Sequence, residues 1–362
     1  MDLYVFNPEH ELAIANNNRY FTPPKIVKEL HKDLELLPAL FAKKGDGLIV
    51  DNVNKALEKK TDFHIYEDIK LIDKHNIDKF KDYITRIIPW GWDYIIKDFL
   101  CYLGINNNLL PDNTTLDTIK KISHRNYGSY LLNKLLVLCG NDCRLIGKSI
   151  YTENIDDFTT IIKDGYNAVI KAPWSCSGRG LRFIKGDILP YQFNWAKNII
   201  KHQGGIMIEP LYEKVIDFAM EFISINGDIR YEGLSIFSTN NGAYTGNLII
   251  NEDEKLNILE KYIDILFLKE LKEKLVCLLN TTISKLYNGP LGVDMMIVKN
   301  DINNTNNIKY SYHYLIHPLV EINFRFTMGH IAIAANKKNF FNGNSMYIKY
   351  DGSHHHIKFN TI

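Results

Sequence analysis

The chain has 362 residues, enough for two or three subdomains and a large buried core. With 46% apolar residues and a formal net charge of +1, it lacks the basic excess of a dedicated nucleic-acid binder, so any charged site must be local. No apolar run reaches membrane-spanning length, Met1 to Phe6 carries no signal-peptide features, and five scattered cysteines without a second zinc-type pair read as reduced thiols of a cytoplasmic protein.

In chain order, Leu3 to Phe6 reads as a short strand that runs into the polar cluster Asn7-Pro8-Glu9-His10-Glu11. Ligands of open α/β sheets gather at the carboxyl ends of strands, which marks Asn7, Glu9 and His10 as candidate ligand contacts; the same cluster would also serve as a loop cap. The apolar spacing of Ile26, Leu30, Leu34, Leu37 and Leu40 predicts a helix over Lys25 to Phe41, and Leu48 to Val50 the next strand. This βαβ rhythm, with Trp90 and Trp92 as core aromatics before a further helix, makes the first hundred or so residues a small α/β domain.

Ser123 is the candidate N-cap of the next helix, with Arg125 in its first turn. A cation there opposes the helix dipole, which fits either a nearby anionic ligand or a solvated arginine. A strand over Leu145 to Tyr151 and a helix over Ile155 to Ile162 lead to a hairpin: β-formers Val169 and Ile170 with Lys171, the tip Ser175-Cys176-Ser177-Gly178-Arg179-Gly180, then Leu181, Phe183 and Ile184. Glycines, hydroxyls and flanking cations suit a polyphosphate cradle, although an ordinary β-turn has the same composition. Neither a Walker loop nor a dinucleotide fingerprint is present.

After a helix over Tyr191 to Lys201, the strand Ile206 to Leu211 ends in a hinge-like proline. Alternation over Asp217 to Ile223 and Tyr231 to Ser238 predicts an antiparallel sheet, followed by a strongly helical stretch over Asn251 to Leu286. Leu291 to Val298 places Asp294 in an apolar strand, and Leu319 to Arg325 sends Glu321, Asn323 and Arg325 to one face by period two. Oxygen donors from Asp294, Glu321 and Asn323 suit Mg²⁺; a Glu–Arg pair on a solvated strand is the alternative. The His354 to His356 run reads as a solvated tail.

Taken together, these motifs resemble the ATP-grasp superfamily over roughly Ser123 to Ala335, and more weakly before it. The resemblance implies a mixed α/β and α+β fold: an N-terminal pre-ATP-grasp α/β domain over 1–115, a connecting helical region over 116–142, a lid subdomain over 143–211 and a C-terminal antiparallel-sheet subdomain over 212–362. It implies ATP contacts from Arg125, Lys171, Ser175, Ser177, Gly178, Arg179, Gly180, Glu209, Leu211 and Asp217. Mg²⁺ would be held by Asp294, Glu321 and Asn323, and Lys171 and Arg325 would be catalytic. Arg125 stands where the family usually has lysine. The implied reaction is ATP-dependent activation of a small-molecule or peptide carboxylate as an acyl phosphate, followed by attack of an amine, with ADP and phosphate as products. Asn7, Glu9, His10 and His330 are candidate substrate contacts, and a homodimer is a family-level expectation. A phosphotransferase, a non-catalytic ATP-binding module and thiol chemistry at Cys176 are the alternatives.

Overall fold

The computed structural model describes residues 1–16, 18–59, 68–162, 167–175, 180–300, 312–338 and 344–360. The chain forms two units, one of Met1–Lys120, Gly246–Asn251 and Phe324–Ile362, the other of Lys121–Thr245 and Glu252–Asn323. Contiguous segments such as 212–362 therefore contribute to both.

The first unit contains β1 (Asp2–Val5), α1 (His10–Asn16), α2 (Lys25–Leu34), β2 (Gly47–Ile49), α3 (Val53–Lys59), β3 (Lys70–Ile72), β4 (Arg86–Pro89) and α4 (Tyr94–Tyr102), with α5 (Asn113–Ile122) leading out of it. Its sheet is parallel, in the order β3-β2-β1-β4. Both faces are covered, and the alternation of β1 shows how: Leu3 and Val5 join Ile49, Ile87 and Leu100 in one apolar cluster, while Tyr4 and Phe6 join Leu34, Leu48 and Trp90 in another. Connections that leave β1 for β2 on one side and return to β4 on the other make a topological switch point at the carboxyl ends of β1 and β4.

Two sequence expectations are corrected here. The helix expected over Lys25 to Phe41 ends at Leu34 and gives way to a 3₁₀ turn, Leu37–Leu40, because Pro38 lacks the N–H needed to continue it. The cluster after β1 is also helical, since α1 starts at His10.

The second unit opens with α6 (Arg125–Leu138), β5 (Ile150–Thr152) and α7 (Ile155–Ile162). His124, not Ser123, is the N-cap of α6, its Nδ1 accepting from Asn126 N at 3.1 Å. The strand expected from Leu145 starts only at Ile150, because Gly147 takes a φ of +150° that breaks the extended run. Next come β6 (Ala168–Lys171), β7 (Leu181–Ile184), α8 (Pro190–Gln203) and β8 (Ile206–Pro210), forming an antiparallel sheet in the order β5-β8-β6-β7. Ala168, Ile170 and Ile208 pack with Phe158 of α7 and Ala196 of α8. Period two then turns Lys171 and Glu209 to the opposite face.

A larger antiparallel sheet follows, from β9 (Lys214–Ile225), β10 (Asp228–Asn240), β11 (Ala243–Leu248), α9 (Glu252–Glu260), α10 (Ile265–Thr282), β12 (Gly289–Lys299) and β13 (Tyr314–Asn323). Its order in this unit is β13-β12-β9-β10-β11. The helical stretch expected over Asn251 to Leu286 divides into α9 and α10, because Asp264 caps α10 by accepting from Leu266 N. The chain then returns to the first unit as α11 (Met328–Lys338), β14 (Ser345–Tyr350) and β15 (His355–Asn360). The histidine run is no solvated tail: Asp33 Oδ2, buried on α2, accepts from His355 N at 2.7 Å, and Asp33 Oδ1 lies 3.0 Å from His354 Nδ1. Among the described residues no helix is long and apolar enough to cross a membrane.

Candidate functional site

One buried cluster of charge in the second unit begins with Lys171, the last residue of β6. Its Nζ lies 2.6 Å from Glu209 Oε2 on the neighbouring strand β8, and both side chains are buried, at 6% and 7% exposure. Glu209 Oε1 also accepts from Ser149 Oγ at 2.9 Å. A buried ion pair of this kind adds little net stability over an apolar pair of the same volume.

Arg125 supplies the second cation. Standing first in α6, it donates from Nη1 to Ala172 O at 2.6 Å and to Ser175 Oγ at 2.7 Å, and from Nη2 to Glu321 Oε1 at 2.6 Å. The adjoining His124 ring lies edge-on to Tyr151 and Trp174. Burial, then the charge of Arg125, pushes its pKa down to about 4, so the ring is neutral near pH 7. Ser123, His124, Arg125, Ser149, Glu209 and Glu321 share one pocket.

Asp294 of β12 and Glu321 of β13 face each other in the strand register, and Asn323 Nδ2 donates to Asp294 Oδ2 at 3.1 Å. Among the described residues no group of three or more His, Cys, Asp and Glu side chains is arranged to hold a metal. Two carboxylates and an amide oxygen on paired strands nonetheless fit Mg²⁺, a hard cation that takes one or two carboxylates and completes its shell with phosphate and water oxygens.

The remaining candidates of this unit are dispersed. Asp217 accepts from Thr239 Oγ1 at 2.8 Å and pairs with Lys214. Leu211 follows β8, its N–H donating to Asn167 O. Gly180 O accepts from Ala172 N, and a Cβ at Gly180 would meet Ser175 Oγ at 2.1 Å, so the base of the hairpin requires glycine there. Cys176, Ser177, Gly178 and Arg179 lie outside the described residues.

In the first unit, Asn7 and His10 tie the ends of β1 and β4 together. Asn7 Nδ2 donates to Gly91 O at 2.8 Å, and His10 Nδ1 lies 3.1 Å from Asp93 Oδ2. The other oxygen of Asp93 caps α4 through Ile95 N and Ile96 N. A Cβ on Gly91 would come within 2.5 Å of the His10 ring, so a glycine is needed for this approach. Glu9 pairs with His31 at 3.2 Å. His330 accepts from Thr327 N at 3.2 Å and packs edge-on against Phe326.

Arg325 is a further correction. Strand β13 stops at Asn323, so its alternation does not reach Arg325, which belongs to the first unit and binds Glu11 Oε1 through Nε at 2.9 Å and Nη2 at 2.8 Å. The following Phe326 stacks on Phe41 and donates its N–H to Trp90 O, which ends the strand. Sequence reasoning missed Glu11, Ser149 and Asp93. Asp93 was the most legible of these, an aspartate directly before a helical run.

No protein-family model matches the sequence, and no curated protein matches it. Solved structures do. A biotin carboxylase complexed with β-γ-ATP from Campylobacter jejuni is 12% identical, with a TM-score of 0.54 over 92% of this chain and 67% of that one. Pyruvate carboxylase from Rhizobium etli is 12% identical, with a TM-score of 0.50 over 92% of this chain and 27% of that one. N5-carboxyaminoimidazole synthetase from Staphylococcus aureus is 10% identical, with a TM-score of 0.45 over 91% of this chain and 71% of that one. The chain has the ATP-grasp fold.

Proposed function

We propose that this protein is an ATP-dependent ligase that joins a carboxylate to an amine. The observation that carries the reading is the pocket of the second unit, where Lys171 with Glu209 and Arg125 with Glu321 converge beside Asp294 and Asn323. That arrangement suits phosphoryl transfer, which needs charge neutralisation and in-line positioning more than a protein nucleophile.

Each residue has a role in this scheme. Lys171, steadied by Glu209, binds the nucleotide's phosphates as a point charge, and Arg125 binds them through its planar fork. Asp294, Glu321 and Asn323 would hold Mg²⁺, which would supply charge neutralisation for the phosphates when bound. A substrate carboxylate oxygen takes the γ-phosphoryl group and ADP leaves; the amine nitrogen then attacks the acyl carbon, phosphate departs and the amine gives up a proton. Ser175, at the base of the hairpin, adds a hydroxyl donor for the phosphates.

The test is ³¹P NMR of the protein with Mg-ATP and pools of carboxylic acids, with and without amines. ADP and phosphate that appear only with a particular acid and amine support the ligase. A new stable phosphorylated species replaces it with a phosphotransferase, and absence of ATP binding removes the nucleotide reading altogether.

A further inference from the structure

His317, in the middle of β13, is 1% exposed, and among the described residues neither ring nitrogen has a hydrogen-bond partner on another residue. An imidazole carries one N–H donor and one acceptor in its neutral form, and burying both unmatched is a cost that a leucine or phenylalanine at this position would avoid. It neighbours the pocket already described, since the backbone of Gly147 approaches both its ring and Leu132, which lines that pocket. Met296 pairs directly with His317 as Asp294 does with Glu321, and Asp294 and Met296 lie two residues apart on one face of β12, about 7 Å along the strand. The imidazole therefore sits on the face of the carboxylates, displaced along the strand from them.

Two further contacts shape the site. Tyr212, just past β8 and Leu211, meets the His317 ring edge-on at 5.8 Å between centroids. On another side the backbone of Gly147 approaches so closely that a Cβ there would lie 3.0 Å from His317 Cε1 and Nε2, and its φ of +150° is one that L side chains rarely adopt. Burial, then the charge of Lys171, pushes the His317 pKa down to about 3, which keeps the ring neutral and free to present a donor or an acceptor according to tautomer.

The geometry points to His317 as a base-reading residue: one of its ring nitrogens hydrogen-bonds the edge of the purine of the nucleoside triphosphate whose phosphates Lys171 and Arg125 hold. The inference rests on the nucleotide reading of the preceding subsection. A purine edge offers both kinds of partner, amino donors and ring-nitrogen acceptors, so it satisfies an orphaned imidazole in either tautomer. A phosphate is acceptor-only, and a ring kept neutral gains little from it.

The test uses the full chain and isothermal titration with ATP and, separately, inorganic tripolyphosphate. His317→Leu is expected to weaken ATP about tenfold, the worth of one hydrogen bond, and to leave tripolyphosphate unchanged. Imidazole ¹⁵N resonances of wild type, assigned through the same variant, should shift on addition of ATP and stay in place with tripolyphosphate, a response a purely structural histidine would not give. Equal ATP affinity in a variant with a normal melting transition, or ¹⁵N resonances unmoved by bound ATP, overturns the inference and leaves the ligase reading standing. If His317→Leu does not fold, His317→Phe takes its place in the titration and in assigning the wild-type spectrum. Wild type that binds tripolyphosphate and ATP with the same affinity also overturns it, whereas wild type that binds neither removes the nucleotide reading itself.

Discussion

Arg125 and Glu321, 196 positions apart in the chain, are joined by a 2.6 Å charge-assisted hydrogen bond. The same guanidinium donates to Ala172 O and Ser175 Oγ, so one side chain at the start of α6 ties the base of the β6–β7 hairpin to strand β13. A rigid fork of donors makes this possible, and a lysine ammonium cannot reproduce it.

Arg125→Ala should therefore lower stability by about 2 kcal/mol, less than the roughly 3–5 kcal/mol of a fully buried pair because Glu321 keeps some contact with water. Arg125→Lys should recover only part of that loss. Chemical denaturation of Arg125→Ala, Glu321→Gln and the double variant forms a cycle, and the pair is expected to couple by about 1 kcal/mol or more. Simple additivity would show that the bond contributes nothing to the fold.

Lys171 and Glu209 allow stability to be separated from function. Removing one charge leaves the other buried and uncompensated, so Lys171→Met should cost about 3–5 kcal/mol, while Lys171→Met with Glu209→Gln should recover most of it. Neither protein should bind ATP with wild-type affinity, because the cation is gone from both. Denaturant melts beside calorimetric titration with ATP measure the two effects. Wild-type affinity in the double variant would take Lys171 out of the nucleotide site.

Asp294→Asn keeps the size of the side chain beside Asn323 but removes the charge that suits Mg²⁺. Turnover should fall at least about a hundredfold, with ATP binding in the absence of Mg²⁺ little changed. Parallel titrations with and without Mg²⁺ check this. An equal loss under both conditions would mean that Asp294 acts on the nucleotide or the fold and not through the metal.

How far the sequence revealed this site follows from the range of each interaction. Lys171 before a glycine-rich tip, and Glu321 and Asn323 at period two, are local patterns, and their strands and hairpin stand close to where those patterns put them. The parallel sheet was legible for the same reason. Arg325 was misplaced because the end of β13 is set by the packing of Phe326 against Phe41 and Trp90, a tertiary event that no alternation rule contains. Its partner Glu11 is 314 positions away. His317 gave no signal beyond a lone polar residue in an apolar strand, since what distinguishes it is that among the described residues its ring nitrogens meet no hydrogen-bond partner on another residue.

The Glu9–His31 pair gives the first unit a pH dependence of definite sign. Burial works against a charged His31, yet the hydrogen bond and charge of Glu9, reinforced by Glu35 and Asp51, leave its pKa above the ordinary 6.5. A group whose pKa rises on folding stabilises the fold fully below its unfolded pKa, and that contribution is lost as pH climbs through the folded value. Melting temperature should therefore decline as pH rises above about 6.5. Glu35, whose pKa burial raises, gives a loss of the same sign that begins lower, near the ordinary carboxylate value of 4.5. His31→Phe isolates the histidine's share: the ring can pack against Phe6 as the imidazole does, and the decline above neutral pH should flatten while the acidic part of the profile persists. A variant whose profile still parallels wild type above pH 6.5 would show that His31 is not the titrating group.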